Sequence, residues 1–265
     1  PPIFVTGDLR SDTLNFEVKT EGYQDVVKDL NVNGVFFPED DYFQLSILPS
    51  DFYVFSRKWD VSGDNYIRLG KDYVKTRNIL INHNDEQIKL NSFGERGLKL
   101  DMNDLAVDWL NDIVNLRKTK FNGTLNAQII SQDIFKLEKL EAKTRIDSLR
   151  INDNYWGNIQ LTAESPNLKS PLETHIRASM QDNDSIVVTG QFYSPMSERG
   201  KVRPNSFDFD VKVRNYSIEF VKYLINDISN LRGRLNADAR FYGDFKRPEI
   251  AGKLNIYDAA VKIDY

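Results

Sequence analysis

The sequence predicts a mainly β fold of antiparallel strands with three short helices. Many segments alternate apolar and polar residues with a period of two, which is typical of a strand with one apolar and one solvated face. Clusters of Gly, Pro and Asn separate these segments, as expected of turns. At three places the alternation passes directly into apolar residues spaced three and four apart, which indicates a helix after a strand.

Composition sets the limits on function. The 265 residues are 40% hydrophobic and 28% charged, which is typical of a globular chain. The net charge is −4, and the scattered Lys and Arg do not form the concentrated basic face that a nucleic acid needs. The absence of Cys excludes disulfides and thiolate metal sites. The first residue is Pro rather than Met, and the last residues are in mid-pattern, so we expect a piece of a longer protein.

The alternation is clearest in the second half of the chain. About fifteen segments have a strand pattern. The most regular of them are LNFEV (14–18), FQLSI (43–47), WGNIQLTAE (156–164), LETHIRASM (172–180), SFDFDVKV (206–213), RLNADARFY (234–242) and IAGKLNIY (250–257).

The three predicted helices cover residues 22–30, 104–115 and 217–228. Each has a narrow apolar face that can pack on a sheet. Three short helices cannot cover the apolar faces of so many strands. Two arrangements remain open: two sheets packed as a closed sandwich, or one long sheet that curls and leaves an apolar trough.

Parts of the sequence repeat. IFVTGDL (3–9) resembles IVVTGQF (186–192), and NGTLNA (122–127) resembles RGRLNA (232–237). Three strand-to-helix elements align in register, with matching positions at Phe16, Leu98 and Phe209, at Val18, Leu100 and Val211, and at Tyr23, Leu105 and Tyr216. The repeats predict a modular array of about three units, 1–85, 86–184 and 185–265.

The last stretch, GRLNADARFYGDFKRPEIAGKLNIYDAAVKIDY (233–265), resembles the C-terminal domain of the TamB family, which is related to AsmA-like proteins. The residues that carry this resemblance are Gly233, Leu235, Gly243, Pro248, Ile250, Gly252, Leu254, Ala259 and Tyr265. Residues 58–102, with a Trp followed by N-x-I and Q-I, resemble segments that precede this domain in the same family.

The resemblance implies a fold and a function. It implies one elongated, strongly curved sheet, a β-taco, whose apolar groove carries phospholipid acyl chains between the inner and outer membranes of a Gram-negative bacterium. It further implies a periplasmic location, an anchor in the inner membrane, a partner of the outer-membrane barrel-assembly type, and a role in outer-membrane assembly. The candidate groove residues are Leu161, Ile176, Ile186, Val188, Phe209, Val211, Leu235, Ala237, Phe241, Leu254 and Ile256.

The same residues are compatible with other functions. The same apolar residues suit the core of an ordinary β-sandwich, and the chain could be a structural or adhesive module that binds proteins through its sheet edges. An enzyme such as a polysaccharide lyase is disfavoured because no cluster of carboxylates or histidines has a catalytic pattern. His83 and His175 are predicted to be surface residues, and the acidic stretches 38–43 and 181–185 are predicted to be turns. We therefore expect no catalytic residue, cofactor or metal.

Overall fold

The computed structural model describes residues 3–23, 27–50, 52–54, 57–109, 111, 120–152, 154–180, 184–197, 205–219 and 228–263. Over these residues the chain is mainly β, and every strand pair with a recorded register is antiparallel. The strands are β1 (Ile3–Arg10), β2 (Thr13–Tyr23), β3 (Val27–Pro38), β4 (Tyr42–Ile47), β5 (Phe52–Val54), β6 (Arg57–Val61), β7 (Tyr66–Gly70), β8 (Val74–Arg77), β9 (Ile79–His83), β10 (Glu86–Phe93), β11 (Gly97–Ala106), β12 (Phe121–Asp133), β13 (Glu138–Ile151), β14 (Asn154–Asn167), β15 (Leu172–Ser179), β16 (Ser185–Tyr193), β17 (Ser206–Ser217), β18 (Ile228–Asp244) and β19 (Arg247–Ile263).

The chain divides into two compact units, Pro1–Asn154 and Tyr155–Tyr265. In the first unit, β3 pairs with β4 through its second half and with β5 at Leu30 and Phe52, so that the sheet forks there. One branch continues through β4, β7 and β8, and the other through β5, β6 and β9 to β13. The second unit is a simple meander in which β14 to β19 pair in chain order.

The prediction of three short helices is wrong for the residues that the structure describes. Residues 22 and 23 end β2 and residues 27–30 begin β3, and Tyr23 and Val27 are partners in the register of these two strands. Residues 24–26 lie outside the described residues. In 104–115, strand β11 continues to Ala106 and a 3₁₀ turn, Val107–Trp109, follows; residues 110 and 112–119 lie outside the described residues. In 217–228, Ser217 ends β17 and Ile228 begins β18, while residues 220–227 lie outside the described residues.

A local feature of the backbone explains why two of these segments have helix-like spacing. Met102 and Leu105 point to the same face of β11 although they are three residues apart, because a β-bulge inserts an extra residue between them. Val213 and Tyr216 are related in the same way in β17. A bulge changes the apolar spacing from two to three, and this resembles the first turn of an amphipathic helix.

The sequence repeats correspond to strand pairs in which equivalent residues lie opposite each other. Val5 lies opposite Val18 and Gly7 opposite Phe16 in the first repeat. The corresponding pairs in the last repeat are Val188 with Val211 and Gly190 with Phe209. In the middle repeat, Leu90 lies opposite Leu100 and Ser92 opposite Leu98. The division into modules 1–85, 86–184 and 185–265 remains a prediction.

Few side chains are fully buried, which is expected where a sheet has little stacked upon it. In the described part of the first unit the buried apolar residues are Trp59, Val74, Leu105, Val107 and Leu149. In the described part of the second unit they are Ala163, Phe207, Val213, Tyr216, Ile218 and Ala237. Those of the second unit matter most for function, because they include the candidate residue Ala237 and pack against the candidates Ile186, Val211 and Leu235.

Candidate functional site: the apolar face of the second unit

The strand registers of the second unit align its apolar residues in rows that run across the strands. The central row consists of Leu161, Ile176, Val188, Val211, Ala239 and Gly252. The row on one side consists of Ile159, Ala178, Ile186, Val213, Ala237 and Leu254. The row on the other side consists of Ala163, Thr174, Gly190, Phe209, Phe241 and Ile250. We refer to these three rows, with the adjacent pair Leu235 and Ile256, as the apolar face.

All eleven residues predicted from the sequence lie on this face. Nine of them belong to the three rows, and Leu235 and Ile256 lie opposite each other just beyond the bulge in β17. Whether these residues line a lipid groove does not follow from their positions, and this role remains a prediction. Their common face follows from period-two alternation within each strand together with the in-step pairing of all six strands.

The predicted set missed several residues of the same surface. Ile159, Ala163, Val213 and Ala239 belong to the rows, and Phe192 and Phe207 extend the face toward one end of the strands. The alternation in SFDFDVKV already contains the signal for Phe207 and Val213. Tyr216 was not in the predicted set, because the bulge hid its place in the strand pattern and a helix was predicted to begin at the next residue.

Exposure increases across the face toward β19. Val213 and Ala237 are buried and pack against Met180, Ile186, Val211 and Leu235. In contrast, Phe241 is 37% exposed, Leu254 61% and Ile250 74%. A large apolar side chain that stays this exposed loses the stabilisation that burial gives, roughly 1.5–3 kcal/mol per side chain. The face is therefore a solvent-accessible apolar surface at its β19 side.

Aromatic residues concentrate at one end of the apolar face. The Phe207 ring centroid lies 4.7 Å from that of Phe241, 5.6 Å from that of Phe209 and 5.4 Å from that of Phe245. Phe192 also contacts Phe245, at 5.9 Å. Phe207 is buried at the centre of this cluster, whereas Phe245 at the β18–β19 turn is 69% exposed. Ring contacts of this kind add about 0.5–1.5 kcal/mol each, so they stabilise this end of the face.

Tyr216 stabilises the opposite end. Its side chain is 2% exposed, and its hydroxyl donates a hydrogen bond of 2.8 Å to the Trp156 carbonyl oxygen, which ties β17 to β14. Burial, followed by the charge of Asp184 and then by Tyr155, raises the pKa of Tyr216 to about 12. The phenol therefore stays neutral at physiological pH and acts as a hydrogen-bond donor in this position.

The opposite face of the same sheet is charged. Arg240 donates a hydrogen bond of 2.6 Å to Asp208, and this hydrogen bond holds the pKa of Asp208 below its usual value. Arg214 pairs with Asp238 at 2.7 Å, and that hydrogen bond likewise lowers the pKa of Asp238. The sheet thus separates an apolar side from a charged side.

The histidines and the described carboxylates of the chain lie apart from the apolar face. Within the described ranges, no three His, Asp or Glu side chains form a group that could hold a metal ion. His175 lies on the charged face opposite Thr162 and Thr189, and the Nδ1 of His83 lies 2.7 Å from the Lys58 carbonyl oxygen. Among the described residues, no helix reaches the length and hydrophobicity that crossing a bilayer requires.

Comparison with known proteins gives no relative for this chain. No protein-family model matches it, and neither does any curated protein or solved structure.

Proposed function

We propose that the chain is a segment of a TamB-like periplasmic protein whose apolar face carries phospholipid acyl chains between the inner and outer membranes. In this proposal the sheet curls so that the face lines an open trough. The full-length protein is anchored in the inner membrane of a Gram-negative bacterium, meets a barrel-assembly-type protein at the outer membrane and supports outer-membrane assembly. The segment has no catalytic role.

The observation that carries the proposal is the continuity of the apolar face. It crosses six strands without a charged side chain in its three rows. With strands about 4.8 Å apart, the rows extend over roughly 24 Å. Each CH₂ moved from an apolar surface into water costs about 0.8 kcal/mol, so an acyl chain can cross an aqueous space only along an uninterrupted apolar surface. Headgroups would remain in water at the open side.

The first test compares two valines that are neighbours in β16. Val188 lies in the central row of the apolar face, and Val187 lies on the charged face between Arg177 and Lys212. We expect Val188→Glu to lose co-purified phospholipid, measured by native mass spectrometry, because a passing acyl chain would meet a hydrated charge. Val187→Glu should keep its lipid, because the new carboxylate faces two cations in water.

A second pair of variants guards against a folding defect at Val188. Ile256 is 49% exposed, so Ile256→Asp leaves its charge in water and should retain the circular dichroism spectrum of the wild type. Asn255→Asp adds the same charge on the other face of β19. The proposal is supported if Ile256→Asp loses its lipid while Asn255→Asp retains it. A wild-type protein that carries no lipid, or an Ile256→Asp variant that carries as much as Asn255→Asp, contradicts it.

The alternative function, a structural or adhesive module that binds proteins through its edges, has one observation in its favour. All residues from Arg247 to Ala260 in β19 are exposed, on both faces of the strand. Exposed edge strands offer backbone groups to a partner strand. A wild-type protein without lipid that retains an added strand at this edge would favour the module over the conduit.

A further inference from the structure

Three turns of the second unit meet at one end of its sheet. They join β14 to β15, β16 to β17 and β18 to β19, so neighbouring turns lie two strands, or about 10 Å, apart. The Ser194 hydroxyl donates a hydrogen bond of 3.0 Å to the Leu168 carbonyl oxygen, which joins the second turn to the first. The Phe245 ring contacts Phe192 and Phe207, which joins the third turn to the ends of β16 and β17. We refer to six residues of these turns as the tip: Leu168, Lys169, Met196, Phe245, Lys246 and Arg247.

The tip exposes two large apolar side chains to water. Met196 is 61% exposed and Phe245 is 69% exposed. The turn that contains Met196 is closed by a hydrogen bond of 3.0 Å from the Ser197 N–H to the Ser194 carbonyl oxygen. This turn joins β16 and β17, which pair with β15 and β18 on their other sides. The exposure of Met196 is therefore a property of the turn and does not depend on the neighbours of β19.

The charged side chains of the tip are cations. Lys169, Lys246 and Arg247 are all exposed. Within the described parts of the three turns the one carboxylate is that of Asp244, which accepts hydrogen bonds from the backbone N–H groups of Lys246 and Arg247 at 2.9 and 2.8 Å. The whole chain carries a net charge of −4, so its overall charge does not attract it to an anionic surface. The tip is a local cationic patch with exposed apolar side chains.

We propose that the tip binds the surface of a bilayer that contains anionic phospholipid. Met196 and Phe245 insert among the headgroups, and the three cations contact lipid phosphates. Apolar side chains flanked by Lys and Arg are the combination that binds a membrane interface, and each cation adds attraction to an anionic surface. A bilayer accepts separate protruding side chains without a matching shape, whereas a protein partner would need a complementary acidic surface. The protruding residues of the tip therefore favour a bilayer.

Binding through the tip is independent of lipid transport along the apolar face. None of the six tip residues belongs to the three rows of that face. The tip nevertheless adjoins the aromatic end of the face, because Phe245 contacts the buried Phe207. A bilayer bound at the tip would lie next to this end of the face.

The first test measures co-sedimentation of the chain with lipid vesicles. The wild type should bind vesicles of phosphatidylcholine and phosphatidylglycerol in equal parts, with half-saturation at a lipid concentration on the order of 1 mM. Met196→Glu should bind about tenfold more weakly, because a hydrated charge replaces an inserted side chain. The control is Leu137→Glu, at an apolar residue that is 40% exposed in the turn between β12 and β13. This variant should bind like the wild type.

The second test removes one charge. Lys246→Gln should bind the mixed vesicles about fivefold more weakly than the wild type. The control, Lys212→Gln, removes an equal charge from the charged face of β17 and should have no effect. The wild type should bind vesicles of phosphatidylcholine alone much more weakly than the mixed vesicles. All these positions are exposed, so the circular dichroism spectrum should be unchanged in every variant.

A fluorescent label shows which part of the chain enters the bilayer. The chain contains no Cys, so Met196→Cys and Leu137→Cys each introduce a single thiol for a fluorophore that is sensitive to polarity. Mixed vesicles should shift the emission of the label at position 196 to shorter wavelength and leave that at position 137 unchanged.

Three results would overturn the proposal. A wild type that does not bind the mixed vesicles excludes the bilayer and leaves a protein as the partner of the tip. Equal binding by Met196→Glu and the wild type, or equal shifts of the two labels, excludes the tip as the contact. Equal binding by Lys246→Gln and the wild type excludes attraction to anionic lipid. Co-purified phospholipid is measured without vesicles, so this proposal and the proposed function can fail separately.

Discussion

The segments β11–β13 and β17–β19 share a backbone plan but differ in the side chains of their outer faces. Both have a bulge in the first strand, at Asp104 with φ 55° and at Asn215 with φ 50°. In both, an Asn of the second strand, Asn126 or Asn236, accepts a hydrogen bond from the backbone N–H of the bulge residue.

A second bulge also recurs. Gly123, with φ 145°, lies opposite a two-residue stretch that begins at Ser148, with φ 52°. Gly233, with φ 139°, lies opposite a stretch that begins at Asp258, again with φ 52°. The turn residues Val107 and Ile218 that follow the first bulge are both buried. The repeat therefore maintains the positions where the strands change their alternation.

The outer faces do not follow the repeat. Asp101 of β11 pairs with Lys99 at 3.1 Å and accepts a hydrogen bond of 3.0 Å from the Gln128 amide, whereas β17 and β18 are joined by Arg–Asp pairs. Solvated side chains contribute little to stability and can vary, whereas a bulge fixes the register of a whole strand pair. The feature that repeats is therefore the backbone geometry and not the chemistry of the outer faces.

The largest expected effect comes from the two bulge glycines. A φ near 140° is accessible almost only to Gly, and a Cβ at Gly233 would lie 3.1 Å from the Ala259 Cα, while one at Gly123 would lie 3.0 Å from the Asp147 carbonyl oxygen. Gly123→Ala and Gly233→Ala should each lower the free energy of unfolding by about 2–3 kcal/mol, measured by urea denaturation. Gly63→Ala, where a Cβ meets no atom within 4 Å, is the control and should be neutral. A large effect at only one of the two bulges would refute their equivalence.

The next largest change in stability is expected at a side chain that differs between the two segments. Leu105 of β11 occupies the position of Tyr216 in β17, so at this position only the second segment has a hydroxyl. At pH 8, Tyr216→Phe should lose about 1 kcal/mol, because the hydrogen bond to the Trp156 carbonyl is removed. The pKa of Tyr216 is raised to about 12, above the value of about 10 in the unfolded chain.

The sign of the pH effect follows from this rise in pKa. The unfolded chain loses the proton first, so the contribution of Tyr216 is complete below pH 10 and is lost as the pH rises toward 12. The stability difference between the wild type and Tyr216→Phe should therefore shrink or reverse in that interval, by up to about 2–3 kcal/mol. Urea denaturation of both proteins at pH 8 and pH 11.5 measures it. A difference that does not change with pH would show that Tyr216 titrates normally.

The sequence predicted the β class, the antiparallel pairing and the shared face of its eleven candidate residues, because alternation is local and survives in each strand. It predicted the helices wrongly where local spacing was produced by other geometry. Tyr23 and Val27 are partners in the register of β2 and β3, and Leu105 follows a bulge, as does Tyr216 just before the third predicted helix. Short apolar runs do not distinguish these cases from a helical turn. The cross-strand ion pairs, such as Arg240 with Asp208, depend on registers that no single strand encodes.

The smallest expected effect compares the two asparagines that support the first bulge. The bond from the Asn215 N–H to Asn236 Oδ1 is 2.7 Å and part-buried, whereas that from the Asp104 N–H to Asn126 Oδ1 is 3.1 Å and exposed. Removal of an acceptor leaves a donor unpaired, and this costs more where water cannot replace the acceptor. Asn236→Ala should therefore lose about 1–2 kcal/mol and Asn126→Ala about 0.5 kcal/mol. Asn236→Asp retains an acceptor oxygen and should recover most of the loss of stability.

Amide hydrogen exchange shows where the structure is weakened. The Asn215 amide should lose protection in Asn236→Ala, and the Asp104 amide should lose protection in Asn126→Ala. If Asn126→Ala is instead the more destabilising variant, burial of the bulge does not determine the contribution of its asparagine.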